Sequence, residues 1–235
     1  MGDNCCRSRG TVLGIGWRNP FAAPAPSKAD PLNTQFLILA GGSGSRLGQV
    51  RKAEIRLGGS SLLERVANRL RIERSTLFIS TGAGLPMPSA IGTALPDLDT
   101  PLGGPLAGIV AAAAHLRHHA PGDSVLLSVA VDTPFLPEDF AARLLAALEH
   151  GARAAKACWR GNAYPTNAAW RLADLQDLPE QAAAGTVAQS PRALLAQLGA
   201  VSVDWETTHA CDPFANLNTI SDLLALSHRV QGSSD

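Results

Sequence analysis

Three things are scarce in this chain of 235 residues: aromatic side chains, at 5%; cysteines, of which there are 4; and net charge, since 20 basic residues offset 20 acidic ones. A neutral chain has no broad field with which to hold a nucleic-acid backbone or an anionic membrane, so any phosphate it recognises must be met locally. No nucleic-acid partner is expected. Cys5, Cys6, Cys158 and Cys211 show no C-x-x-C spacing, and an adjacent pair seldom bridges to itself, which argues against a zinc site or a disulfide framework. No apolar run approaches the ~20 residues that span a bilayer, so no membrane partner is expected either. An export signal is also missing, because the apolar patch at 12–17 is too short and interrupted for a secretory core. The cytoplasm is therefore the expected compartment. Residues 1–34 read as a flexible tail, or as translated sequence ahead of the true start, which leaves 35–230 as the folded domain.

What is present is a regular alternation. Beyond Pro31, short apolar runs alternate with longer amphipathic stretches, the sequence form of repeated β-α units and of an α/β fold with a largely parallel sheet. Strands are expected over 35–40, 76–80, 124–131, 153–159 and 200–204, and helices over 61–71, 106–118, 138–150, 191–198 and 220–228. The last helix has a defined start, because Asn218 or Thr219 supplies a capping side chain and Asp222 puts a carboxylate at the positive end of the dipole. Residues 180–189, rich in Ala, Gly and Gln, read as a mobile loop.

Residues 36–48 run Phe-Leu-Ile-Leu-Ala-Gly-Gly-Ser-Gly-Ser-Arg-Leu-Gly, with Lys52 shortly after. A strand that ends in glycines lets backbone amides close on an anion. Leu39, Ala40, Gly41, Gly42, Ser43 and Gly44 are therefore the expected nucleotide cradle, and Arg46 and Lys52 the cations that a triphosphate requires. The glycine spacing does not fit the dinucleotide fingerprint G-x-G-x-x-G, and the lack of Gly-Lys-Ser/Thr excludes a P-loop. That leaves a nucleotidyltransferase loop or an ordinary glycine-rich turn.

A second stretch, 124–131, runs apolar into Asp132, followed by Thr133, Pro134 and Phe135. A carboxylate at the carboxyl end of a buried parallel strand stands where open α/β sheets bind ligands, and its hard oxygens suit Mg2+. Asp132 is the expected metal ligand, with a turn cap ahead of Pro134 as the plainer alternative. Between the two stretches, Gly104, Pro105, Leu106 and Ala107 open a small-residue helix that an anion or a planar base can approach. Asp97 and Asp99 lie just upstream, and Asp99 is counted among the nucleotide contacts. Near the end, Asn216 and Asn218 share one side of an extended segment, and their amides both donate and accept, as a grip on a heterocycle or phosphate requires. Capping the final helix is the other use for Asn218. The stretch 161–167, Gly-Asn-Ala-Tyr-Pro-Thr-Asn, is a candidate for positioning an acceptor, with Pro165 marking an edge or turn.

In this order the motifs resemble the molybdenum cofactor guanylyltransferases, the MobA-like NTP transferase family. L-A-G-G-x-S-x-R-M-G-x-x-K is matched at 39–52, with Leu47 for Met and one added residue of spacing; G-P-L-A-G at 104–108; D-x-P-F at 132–135; and F-x-N-x-N-T at 214–219. The resemblance implies a three-layer, Rossmann-like, doubly wound α/β domain of the nucleotidyltransferase (GT-A-like) type. It implies transfer of GMP from Mg-GTP to the terminal phosphate of molybdopterin, or of the molybdenum cofactor, with release of pyrophosphate. Arg46, Lys52 and Asp132 are then catalytic, Mg2+ is the cofactor, GTP is the substrate, and a molybdoenzyme or its chaperone receives the product. Leu39-Ala40-Gly41-Gly42 and 105–108 favour guanine over cytosine. Two departures stand out: Arg51 occupies the place of an Asp, and 79–82 read Ile-Ser-Thr-Gly where many relatives carry an asparagine. A related enzyme with a cytidylyl, sugar-phosphate or phospholactate reaction, and a diverged non-catalytic nucleotide-binding paralogue, are the competing expectations.

Overall fold

The computed structural model describes residues 32–41, 43–44, 50–72, 76–82 and 91–231. The first half carries β1 (Thr34–Leu39), the short β2 (Ser43–Gly44) and β3 (Val50–Arg51), a 3-10 turn at Lys52–Glu54, the short β4 (Arg56–Leu57) and β5 (Ser60–Ser61), α1 (Leu62–Leu70), β6 (Leu77–Gly82), β7 (Thr93–Pro96) and α2 (Pro105–Leu116). The second half carries β8 (Val125–Ala130), α3 (Phe140–Glu149), β9 (Ala154–Trp159), β10 (Asn162–Arg171), a 3-10 turn at Leu172–Leu175, α4 (Leu178–Ala183), α5 (Pro191–Gln197), β11 (Val201–Asp204) and α6 (Ile220–Gln231). Residues 1–31, most of the expected tail, lie outside the described residues. Among the described residues no helix is long and apolar enough to cross a membrane.

Seven strands form one sheet in the order β11-β9-β10-β8-β1-β6-β7. Neighbours are parallel except where β10 meets β8 and β9. From β1 the chain winds outward through β6 to β7, and α2 then carries it back to β8 on the other side of β1. Such a reversal is the switch point of a doubly wound sheet, where the loops after two adjacent strands part and leave a crevice at their carboxyl ends. Here the two strands are β1 and β8.

The layers follow from burial. All six residues of β8, Val-Leu-Leu-Ser-Val-Ala, are buried, as a strand covered on both faces must be. On one face α1, α3 and α6 contribute Val66, Leu144 and Leu226 to a core that also holds Trp205 and Phe214. On the other, α2, α4 and α5 contribute Ile109, Leu178 and Leu194 to a second core that also holds Trp170. α1 starts on a capping box: the Glu64 N–H donates to Ser61 Oγ at 3.2 Å and the Ser61 N–H donates to Glu64 Oε2 at 2.7 Å. α2 lies close on β6 because Gly108 has no side chain; a Cβ there would stand 2.3 Å from Ser80 Oγ.

Every expected strand and helix is found, each boundary within about three residues, the usual fraying of such limits. Beyond the two-residue strands β2 to β5, three elements differ from the expectation. Residues 178–183 form α4 where the expected loop was to begin, since Leu178 and Ala182 reach the second core and Pro179 stands in the first turn, where its missing N–H is not needed. β7 and β10 were not expected as strands. Pro165 falls in a break of the β10 ladder between Tyr164 and Ala168, so it interrupts no pairing there.

Candidate active site

At the switch point β1 delivers Leu39, Ala40 and Gly41, and β8 delivers Ala130, Val131 and Asp132. With Lys52, Pro105, Thr166 and Asn216 they line a cleft of about 280 Å³. Gly41 is fixed by packing: a Cβ there would lie 2.6 Å from Gly82 N and 2.8 Å from Gly82 Cα. The chain leaving β1 therefore passes directly against the chain leaving β6. The flanks of the glycine-rich loop pair as β2 and β3, with Ser43 opposite Arg51 and Gly44 opposite Val50. Gly42 and Arg46, both expected in the site, lie outside the described residues.

Lys52 opens the 3-10 turn after that loop. Its ammonium donates to Asp132 Oδ2 at 2.8 Å and to Asn218 Oδ1 at 2.5 Å. One cation thus joins the segment after β1, the end of β8 and the segment ahead of α6. The Leu217 N–H, donating to the Asp132 carbonyl at 3.0 Å, holds the last two together. Thr219 rather than Asn218 caps α6: its Oγ1 accepts the Asp222 N–H at 3.1 Å, while Asp222 Oδ2 accepts the N–H groups of Asn218 and Thr219 at 2.9 and 2.8 Å. The Asn218 side chain is left for Lys52. The Asp222 carboxyl is held below the usual carboxylate range, first by the Asn218 N–H, with Thr219 and the Lys52 charge adding to it against some desolvation. Asn216 is exposed and faces the cleft.

The helix that follows β7 contributes less than its motif suggested. Pro105 lines the cleft and Gly104 caps α2 at φ 71°. The side chain of Leu106 is buried in the second core and that of Ala107 is buried as well, so whatever they offer a nucleotide is backbone. Asp99 is exposed and outside the cleft lining. Asp97 is the more informative carboxylate. Its Oδ1 is buried and has no hydrogen-bond partner among the described residues, its N–H donates to the Gly82 carbonyl at 3.3 Å, and burial raises its pKa. A buried carboxylate oxygen without a partner is costly unless a donor arrives, and a nucleotide carries such donors. Asp97 stands immediately past the carboxyl end of β7, as Asp132 stands just past β8. The rule that picked Asp132 would have picked Asp97 had β7 been recognised.

Among the described residues no three His, Cys, Asp or Glu side chains gather to hold a metal. A Mg2+ ion that arrives on phosphate oxygens needs only one or two protein carboxylates. Asp132, its side chain 14% exposed at the cleft and one oxygen on Lys52, meets that need with hard donors. The residues fit an ion carried in with a nucleotide rather than a cage built wholly of protein.

Residues 36–203 match the family model of the MobA-like NTP transferase domain. A protein of Sinorhizobium fredii named molybdenum cofactor guanylyltransferase is 38% identical over 196 residues, covering 80% of this chain and 87% of its own length. One of the same name from Rhodobacter capsulatus is 37% identical over 202 residues, covering 83% and 95%. Among solved structures, molybdopterin-guanine dinucleotide biosynthesis protein A from Archaeoglobus fulgidus aligns at a TM-score of 0.64 and 21% identity, over 84% of this chain and 98% of that one. The 2-C-methyl-D-erythritol 4-phosphate cytidylyltransferase of Thermus thermophilus aligns at 0.59 and 20% identity, over 84% and 98%. At those identities the two structures speak for the fold.

Proposed function

The chain belongs to the MobA-like NTP transferase family and is a nucleotidyltransferase, and from that premise we propose that it transfers GMP from GTP to the terminal phosphate of molybdopterin. The products are the guanine dinucleotide form of the cofactor and pyrophosphate. The choice of substrates is supported by the names of the relatives, and the site's part by one observation: Lys52 bound at once to Asp132 and Asn218 beside Gly41 at the switch point.

An oxygen of the acceptor phosphate attacks the α-phosphorus of GTP in line. The new P–O bond forms as the bond from the α-phosphorus to the bridging oxygen breaks, and the electron pair leaves on pyrophosphate. The attacking phosphate is anionic at neutral pH, so no general base is required, and the protein's work is positioning and charge. Mg2+ held by Asp132 would supply Lewis-acid neutralisation of the phosphate oxygens. Lys52 keeps the Asp132 carboxylate at the cleft and carries the positive charge that the departing pyrophosphate meets. The Gly41 backbone and, on the motif, Arg46 add donors to the same group. Asn218 fixes the direction of the Lys52 ammonium, and Asn216 faces the bound phosphates.

The test is pyrophosphate release from each of the four NTPs with Mg2+ and molybdopterin. GTP is expected to be used well above the others. Preference for CTP would refute guanylyl transfer, and turnover only with a sugar phosphate or phospholactate would refute the acceptor.

A further inference from the structure

We propose that Thr166 binds the terminal phosphate of the acceptor, on the flank of the cleft opposite the nucleotide; this rests on the guanylyl-transfer reading above. Among the described strands of the sheet β10 alone runs antiparallel to its neighbours, and it overshoots β8. β8 ends at Ala130, whose N–H donates to Asn167 Oδ1 at 2.8 Å, while β10 begins five residues earlier at Asn162. In the overshoot the ladder breaks: Tyr164 pairs with Ala157, and the next pair is Ala168 with Lys156. Residues 165–167 bulge out of the pairing as a consequence.

The bulge is held from beneath. Ser128 Oγ lies 2.9 Å from the Thr166 carbonyl and 3.3 Å from that of Ala168, and the Trp170 indole N–H donates to the same Oγ at 3.0 Å. Asn167 is fully buried, and its Nδ2 has no partner among the described residues. An apolar residue would avoid that cost, so the amide is retained for the bond it makes to the end of β8. Pro165 stiffens the chain on the other side of Thr166. Thr166 is thereby presented, half-buried, in the cleft wall with Lys52, Asp132 and Asn216, and its hydroxyl makes no hydrogen bond among the described residues.

The sheet order decides what that hydroxyl meets. Gly41, Gly82 and Asp97 lie at the ends of β1, β6 and β7, on one side of β8, while β10 is on the other. In-line displacement places the nucleophile opposite the leaving group. With pyrophosphate held by the loop after β1 and Lys52, the attacking phosphate approaches Asp132 from the β10 side, where a hydroxyl can donate to its oxygen.

The experiment is steady-state guanylyl transfer by Thr166→Val and Thr166→Ser, with GTP and molybdopterin varied in turn and thermal midpoints measured alongside. Valine keeps the shape and removes the hydroxyl, whose donor the phosphate would use; it is expected to raise the acceptor KM about tenfold, the worth of one hydrogen bond to a charged group, and to leave the GTP KM and the midpoint unchanged. Serine keeps the donor and is expected to restore the acceptor KM. A rise in the GTP KM instead, or a valine variant equal to wild type, overturns the placement and leaves guanylyl transfer standing. Wild-type protein that forms no guanine dinucleotide overturns the reading of the reaction and this inference with it.

Discussion

Replacing Asp132 with Asn separates the ion pair seen in the structure from the catalytic use proposed for the same carboxylate. In the free protein Oδ2 is 2.8 Å from Lys52 Nζ, with the side chains 14% and 21% exposed. Water reaches both groups, and an amide oxygen can still accept from the ammonium, so the loss in stability is about 1 kcal/mol rather than the 3–5 kcal/mol of breaking a fully buried pair. For a domain of this size that lowers the thermal midpoint by about 2–4 °C. Catalysis uses the charge differently, because the transition state of phosphoryl transfer spreads negative charge that only a fixed cation assembly neutralises. Losing one preorganised electrostatic element costs roughly 10²–10³ in kcat, or about 2.7–4 kcal/mol. Asp132→Asn is therefore expected to fold, to melt within a few degrees of wild type, and to lose at least about 100-fold in turnover. The assay is phosphatase-coupled pyrophosphate release at saturating GTP and molybdopterin with Mg2+ titrated upward, beside differential scanning fluorimetry. Near-normal turnover at saturating Mg2+ would refute the role assigned to the carboxylate. A collapse of the midpoint with no intermediate behaviour would show instead that the pair is chiefly structural.

Other substitutions address the frame around the cleft. Gly108→Ala puts a Cβ 2.3 Å from Ser80 Oγ and 2.7 Å from Ser80 Cβ, so α2 must lift from β6; overpacking of this kind costs about 1–3 kcal/mol, read as a lower denaturant midpoint and partly restored by adding Ser80→Gly. Ser61→Ala removes the acceptor of the α1 capping box and is expected to cost about 1 kcal/mol, with activity unchanged; a loss of turnover at unchanged stability would contradict a purely capping role. Burial raises the Asp97 pKa, so folding favours its protonated form: the stability from this group is full below the ordinary carboxylate range and is lost as pH rises through the raised value. Asp97→Asn should accordingly lose less stability than wild type across that window and be the more stable at neutral pH, while its GTP KM rises; thermal midpoints from acid to neutral pH that run parallel in the two proteins would exclude this.

How far the site could be read from sequence depended on which strands announce themselves. β1 from Phe36 onward and β8 apart from Ser128 are apolar because both faces are covered, and each run stops abruptly, one at glycines and one at Asp132. The two walls of the cleft were legible for that reason. β7 is a four-residue edge strand, Thr-Ala-Leu-Pro, paired on one side only, so it tolerates Pro96 and carries no apolar run. Without it Asp97 has no strand to end, and Asp99 two residues on looks just as good. β10 is half exposed and broken at its bulge, so 161–167 offered no strand to read, only a candidate acceptor segment with an edge or turn at Pro165, although Thr166 within it lines the cleft. Lys52 and Asn218 lie 166 positions apart, and nothing local in either segment predicts their contact. The local clue that did exist was ambiguous, since a single Asn or Thr was enough to cap α6; once Thr219 takes that place, Asn218 is free for the lysine.

Glycine gave the most instructive divergence between pattern and packing. In both glycine-bearing motifs the absence of side chains was read as room for a ligand. At Gly41 and Gly108 the atoms that a Cβ would meet belong to the protein: the Gly82 backbone in one case and the Ser80 side chain, with Leu39 Cδ2 at 3.0 Å, in the other. Both sets of neighbours lie on β6 or at its end, apart from that Leu39 contact on β1. These two glycines let the chain after β1 and the start of α2 crowd onto β6, which brings Gly41 and Pro105 into one cleft wall. Substitution at either is thus expected to act on the shape of the cleft through the fold, and its effect on GTP affinity should scale with the loss of stability. A variant of Gly41 that weakens GTP binding at full stability would show that the ligand, and not β6, is what the missing side chain makes room for.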